Sequence, residues 1–92
     1  MAVTIRIPTQ LRSLAGGAAE VSVDGATVGE ALKALDAAHP GFEERLFDGG
    51  GARLRRFVNV FVADEDIRYL DGVNTPLPDG TVLSIVPAVA GG

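Results

Sequence analysis

Only one stretch of this chain has a long helical period, and the fold has to be arranged around it. Thr27-x-x-Glu30 has the form of a capping box, in which hydroxyl and carboxylate satisfy free backbone N–H groups at a helix start. Val28, Ala31, Leu32, Leu35 and Ala38 follow at helical spacing, with Glu30, Lys33 and Asp36 on the other side. Gly29 lies in the first turn, where glycine costs a helix less than in the middle. His39-Pro40-Gly41 ends the helix, because a residue before proline avoids the α region. Phe42 to Phe47 can add a last helical turn with Phe42 and Leu46 turned inward. A helix of this size buries one stripe, so its apolar side needs a sheet to lie on.

The strand signals supply that sheet. Val3, Ile5 and Ile7 alternate with Thr4 and Arg6 across Ala2 to Pro8, the period-2 pattern of a strand with one buried face. Leu11 and Leu14 are expected in a loop that closes on Gly16-Gly17. Ala19 to Val23 forms a second strand, and so short a connection favours an antiparallel pair. Asp48-Gly49-Gly50-Gly51 reads as a surface loop, and Arg56 to Ala63 as the clearest strand in the chain. A turn at Asp64-Glu65-Asp66 leads to a short edge strand, Ile67-Arg68-Tyr69. Turns at Asp71-Gly72 and Pro78-Asp79-Gly80 precede a last strand, Thr81 to Val86, which Pro87 is expected to end.

One helix among five strands, in an order that alternates incompletely, gives an α+β fold with a mixed sheet covered on one face. A right-handed crossover through the helix brings the third strand into the same sheet. The ubiquitin-like β-grasp satisfies that list, with a domain over residues 1–87 and a flexible tail over residues 88–92. Val3, Ile5, Ile7, Val58, Val60, Val62, Leu83 and Ile85 form the expected core with the helix stripe. Alternation then assigns Thr4, Arg6, Phe57, Asn59, Phe61, Val82, Ser84 and Val86 to the open face.

Several functions are disfavoured by composition. Cysteine is absent, so the chain has no disulfide, thiolate metal site or thiol nucleophile. A net charge of −4 argues against a nucleic-acid module and suits a basic cleft on a protein partner. Apolar runs fall short of a membrane span and the N-terminus lacks a signal-peptide pattern, so a cytoplasmic location is expected. Asp64-Glu65-Asp66 lacks the spacing of a calcium loop and reads as a solvated turn. Gly49-Gly50-Gly51 lacks the G-K-[ST] element of a phosphate cradle, although Arg53, Arg55 and Arg56 beside it could meet acidic residues on a partner. His39, the one histidine, has no acid–base partner and reads as structural. No catalytic residue, bound cofactor or metal site is expected, and the chain does not read as an enzyme.

The tail Val86-Pro87-Ala88-Val89-Ala90-Gly91-Gly92 is the remaining candidate. With 12 glycines in 92 residues, a terminal pair arises by chance about 2% of the time, so the pair needs support from elsewhere. A terminal carboxylate, with a pKa of ~3.3–3.7, is an anion near neutrality and a poor electrophile until a partner converts it to an acyl adenylate. Glycine has no Cβ to obstruct a narrow channel or attack at the carbonyl. Extended at ~3.3 Å per residue, Ala88 to Gly92 would reach roughly 17 Å into a cleft. A frayed end is the bland alternative.

The blocks T-V-G-E (Thr27–Glu30), R-F-V-N-V-F-V (Arg56–Val62), D-E-D-I-R (Asp64–Arg68), L-P-D-G (Leu77–Gly80) and the V-P-A-V-A-G-G tail resemble a known family. It is that of ubiquitin-like sulfur carriers, MoaD/ThiS, which includes the molybdopterin synthase small subunit and the thiamine-pathway carrier. The resemblance covers essentially the whole chain and is greatest to the cysteine-biosynthesis branch. It implies that an E1-like adenylyltransferase and sulfurtransferase, using ATP, adenylates Gly92, and that sulfide displaces AMP to leave a thiocarboxylate. It also implies sulfur delivery to a pyridoxal-phosphate synthase holding an activated serine, and a zinc metallopeptidase that releases the product. Pro87, Ala88, Val89, Ala90 and Gly91 would then be the tail that partners recognise.

Arg6, Phe57, Phe61, Val82 and Val86 are the candidate docking residues, because an apolar patch on an open sheet face often marks an interaction site. The phenylalanines could equally pack under loops. Carriage of sulfur for molybdopterin, thiamine or a thiolated secondary metabolite also fits the tail. So does a protein modifier forming isopeptide bonds through Gly92. An interaction module with an inert tail is the third class.

Overall fold

The computed structural model describes residues 2–48, 53–54 and 58–87. Helix α1 (Val28–Ala38) starts where its cap predicts. The Thr27 hydroxyl accepts from the Glu30 amide at 3.3 Å, while the Glu30 carboxylate reaches the Ala26 amide at 3.2 Å, one residue upstream of the usual reciprocal partner. Val28, Ala31, Leu32 and Leu35 are buried, whereas Ala38 is exposed in the last turn, where the stripe has rotated off the sheet. Gly25 is buried before the cap, and a Cβ there would stand 2.7 Å from the Ala31 amide nitrogen. The turn into α1 therefore approaches the helix backbone more closely than any side chain permits. A second helix, α2 (Phe42–Leu46), buries Phe42 and Leu46 completely, as the sequence predicts.

Five strands form the main sheet: β1 (Ala2–Arg6), β2 (Glu20–Asp24), β5 (Val58–Val62), β6 (Glu65–Asp66) and β7 (Val82–Pro87), in the order β2-β1-β7-β5-β6. A separate two-stranded ribbon pairs β3 (Phe47–Asp48) with β4 (Arg53–Leu54). The β1–β2 pair is antiparallel, as its short connection predicts, and β5 lies antiparallel to β7. The central pair, β1 with β7, is parallel and joins the two ends of the domain. One sheet face meets α1, and the predicted core is buried there, with Val62 only half-buried against it.

Four local features depart from the sequence reading. Leu11 and Leu14 lie in a 3-10 helix, Thr9–Ala15, not in an irregular loop, and its buried Leu11 and Ala15 extend the core. Ile67–Tyr69 is a 3-10 turn, not an edge strand: Asp66 accepts the Arg68 amide at 2.8 Å, an Asp–backbone bond that curls the chain. Ile67 thereby turns inward and is buried. Ala63 and Asp64 both have positive φ, 49° and 71°, so a two-residue turn of primed handedness closes the β5–β6 hairpin.

Pro87, finally, is included in β7 as its last residue, opposite Val58, one position beyond the Val86 limit read from the sequence. Ladder parity explains the tolerance. The Ala63 amide donates to the Val82 carbonyl, so hydrogen-bonded pairs alternate from there through Phe61/Ser84 to Asn59/Val86. Val58/Pro87 falls in the non-bonded class, where the missing N–H of proline costs the β5–β7 ladder nothing.

Candidate functional site

The site is built on the face that α1 leaves open. Along β7, Leu83 and Ile85 point into the core while Val82 and Val86 are 37% and 45% exposed and Ser84 lies between them. The register aligns one row across all five strands: Glu20, Arg6, Ser84, Phe61 and Asp66. Arg6 and Phe61 thus flank Ser84, two strand spacings or about 10 Å apart, and Val82 and Val86 lie above and below it over roughly 13 Å. The centre of this cross is the small, half-buried Ser84, with apolar and cationic side chains around it.

Among the candidate docking residues, the structure brings Arg6, Phe61, Val82 and Val86 together on this face. Phe61 is half-buried and Arg6 exposed. Arg6 Nε lies 3.5 Å from the Glu20 carboxylate, with both side chains more than half exposed. Such a pair in water contributes ~0–1 kcal/mol and leaves the cation usable by a partner. Phe57, Arg55, Arg56 and the Gly49-Gly50-Gly51 loop lie outside the described residues, as do Ala88, Val89, Ala90, Gly91 and Gly92. The described chain ends at Pro87, the root of the tail.

Sequence reasoning put Arg68 in a short edge strand and gave it no role. The structure puts its guanidinium across the start of β5, donating to the Val58 carbonyl at 2.8 Å and to the Asn59 side-chain oxygen. Asp66 orients it, accepting the Arg68 amide and approaching the guanidinium at 3.8 Å. The available signal was the Asp66-x-Arg68 spacing, which suits an aspartate folding onto the backbone two residues ahead. Asp66 is therefore occupied in a hydrogen-bonded turn. Among the described residues no group of three His, Cys, Asp or Glu side chains could hold a metal ion, and no helix is long and apolar enough to cross a membrane.

The model of the ThiS family matches residues 5–92, nearly the full chain. The chain belongs to the ThiS family. Sulfur carrier protein CysO of Mycobacterium tuberculosis is 46% identical over 93 residues, covering 100% of both chains. A chain of the Amycolatopsis orientalis BexX/CysO complex superposes with a TM-score of 0.92 at 44% identity, over 98% of this chain and 99% of that one. Small archaeal modifier protein 3 of Haloferax volcanii is 41% identical over 69 residues, 75% of this chain and 73% of the relative. The fold is accordingly the ubiquitin-like β-grasp, and the chain is a homologue of CysO sulfur carriers.

Proposed function

We propose that this protein is a sulfur carrier whose reactive group is the Gly92 carboxylate. The observation that carries the reading is the full-length likeness to CysO carriers in a chain that ends on Gly91-Gly92 and contains no cysteine. An E1-like enzyme joins the carboxylate to AMP, releasing pyrophosphate from ATP. Hydrosulfide then attacks the activated carbonyl and AMP leaves, so one carboxylate oxygen is replaced by sulfur. The carrier supplies a substrate carbonyl and a docking surface; the catalytic groups and ATP belong to the partner.

Cysteine synthesis is the pathway we favour, on the likeness to CysO. In it, the thiocarboxylate sulfur replaces the leaving group on an activated serine held by a pyridoxal-phosphate synthase, and a zinc metallopeptidase hydrolyses the resulting cysteine from Gly92, restoring the carboxylate. Docking uses the open face, where Phe61, Val82, Val86 and Arg6 surround Ser84, and that face leads directly into the tail root. A CysO relative held in a complex with BexX supports the idea that such a carrier docks as a folded domain.

Whole-protein mass spectrometry tests the proposal. After incubation with the activating enzyme, ATP and sulfide, the chain should gain the mass difference of sulfur for one oxygen, and a chain lacking Gly92 should not. An unchanged mass with an active partner enzyme overturns it. Phe61→Asp should slow adenylation at limiting carrier; an unchanged rate ends the docking assignment. The likeness to a small archaeal modifier protein favours a second reading, conjugation through Gly92 to lysines. That outcome would appear as branched adducts on other proteins.

A further inference from the structure

The sheet narrows where the tail leaves it. β1 pairs with β7 only from Thr4 opposite Val82 to Arg6 opposite Ser84, and β6 pairs with β5 only at Phe61 and Val62. Beyond those limits, Val58–Val60 and Ile85–Pro87 run on as a ribbon of two strands. Val58, Val60 and Ile85 hold that ribbon to the core, so what it lacks is a hydrogen-bonding neighbour along its outer edge. The opposite end of the sheet is braced: the Asp79 carboxylate accepts the Ala2 amide and the Gly80 amide donates to the Ala2 carbonyl, both at 2.8 Å.

Arg68 supplies the missing brace. By the ladder parity, the Val58 carbonyl points away from β7, toward the side where β6 has not extended. The guanidinium fills that position, bonding this carbonyl at 2.8 Å and the Asn59 side-chain oxygen from the same fork. Val58 and Asn59 are the residues directly opposite Pro87 and Val86. We propose that Arg68 is a positioning residue for the tail: it locks the outer edge of the β5–β7 ribbon and so fixes the point and direction from which the reactive terminus leaves the domain. This inference rests on the proposed role of Gly92 for its functional half, while its structural half stands independently.

Amide exchange measured residue by residue tests the structural half. Among the described residues the Asn59 and Val86 amides form the outermost bonded pair, and Phe61 and Ser84 form the next one inward. Losing hydrogen bonds from a charged donor corresponds to at least about a tenfold change, so Arg68→Ala should speed exchange about tenfold at Asn59 and Val86 and leave Phe61 and Ser84 within twofold. Equal acceleration at both pairs, or none at Asn59 and Val86, overturns the brace. Arg68→Lys keeps the charge without the planar fork and should behave nearly like the alanine variant. If it instead matches the wild type, the charge and not the fork is at work, and the assignment is wrong. Asn59→Ala removes one acceptor and should produce a smaller acceleration, about threefold, at the same two amides, which keeps the test open if Arg68→Ala does not fold.

The functional half is read from Gly92 adenylation. Wild-type-like loading of Arg68→Ala, despite loosened amides, overturns the positioning role. A wild-type chain that its activating enzyme never loads refutes the sulfur-carrier reading and leaves the exchange result untouched. The expected result is a roughly tenfold lower kcat/KM for Arg68→Ala carried mostly in kcat, since Arg6, Phe61, Val82 and Val86 are all retained while the tail is delivered less often in register.

Discussion

Val82 and Leu83 are neighbours on one strand, both aliphatic, and they have opposite roles. Leu83 is completely buried beneath α1, while Val82 is 37% exposed on the other face. The same contrast separates Ile85 from Val86. Pleating alone decides which is which, so a single strand supports the fold with one set of side chains and leaves the next exposed on the open face. The lesson is that hydrophobicity at a position in this domain has two meanings, and parity against the helix-covered face tells them apart.

Substitutions can break that contrast. Leu83→Ala should destabilise the domain by about 2–5 kcal/mol, the range for emptying a close-packed site, as seen in chemical denaturation. Phe61→Asp, on the open face, should cut loading by the activating enzyme tenfold or more, about 1.4 kcal/mol of lost docking, while the chain still folds cooperatively. Were the two variants to lose stability equally, the open face would be part of the core and the distinction would collapse. Thr27→Ala loosens the cover from the helix side and should cost about 1 kcal/mol by removing the hydroxyl that caps α1, lowering the melting midpoint without changing loading. Smallest is Arg6→Ala, at under about 0.5 kcal/mol in stability, because its contact with Glu20 is solvated. A loading defect without a stability change there would sharpen the case that Arg6 meets the partner.

What the sequence conveyed depended on periodicity. β1, β5 and β7 alternate cleanly, and α1 has both a cap and a stripe, so their existence, facing and core follow from residue order. The open face was legible for the same reason: parity placed Arg6, Phe61, Val82 and Val86 together before any coordinate did. Segments too short for a period were not legible. The 3-10 helix holding Leu11 spans two turns or so, and Ile67 becomes buried only because Asp66 curls the backbone. The hairpin turn was read at Asp64-Glu65-Asp66 but falls on Ala63 and Asp64, which occupy a conformation usually taken by Asn-Gly, and Glu65 and Asp66 form β6. The bonds of Arg68 were beyond local reasoning, which put it in an edge strand, since its partners, Val58 and Asn59, lie ten and nine positions upstream on another element.

The parallel pairing of β1 with β7 also governs how the protein is made. Its register ties residues near the start of the domain to residues near its end; Ala2 and Asp79, 77 positions apart, are joined by a hydrogen bond. Contacts of such long range require closing a large loop before they return any stabilisation, which slows folding relative to a helical bundle of equal size. During synthesis the N-terminal strands and the helix must wait with their apolar faces unpaired until β7 emerges. A chain cut short before Val82 would lack the strand that joins β1 to β5 and would have no tail root to present. Completion of the sheet and appearance of the tail root are therefore the same event, so the open face exists only in a chain that already carries Pro87.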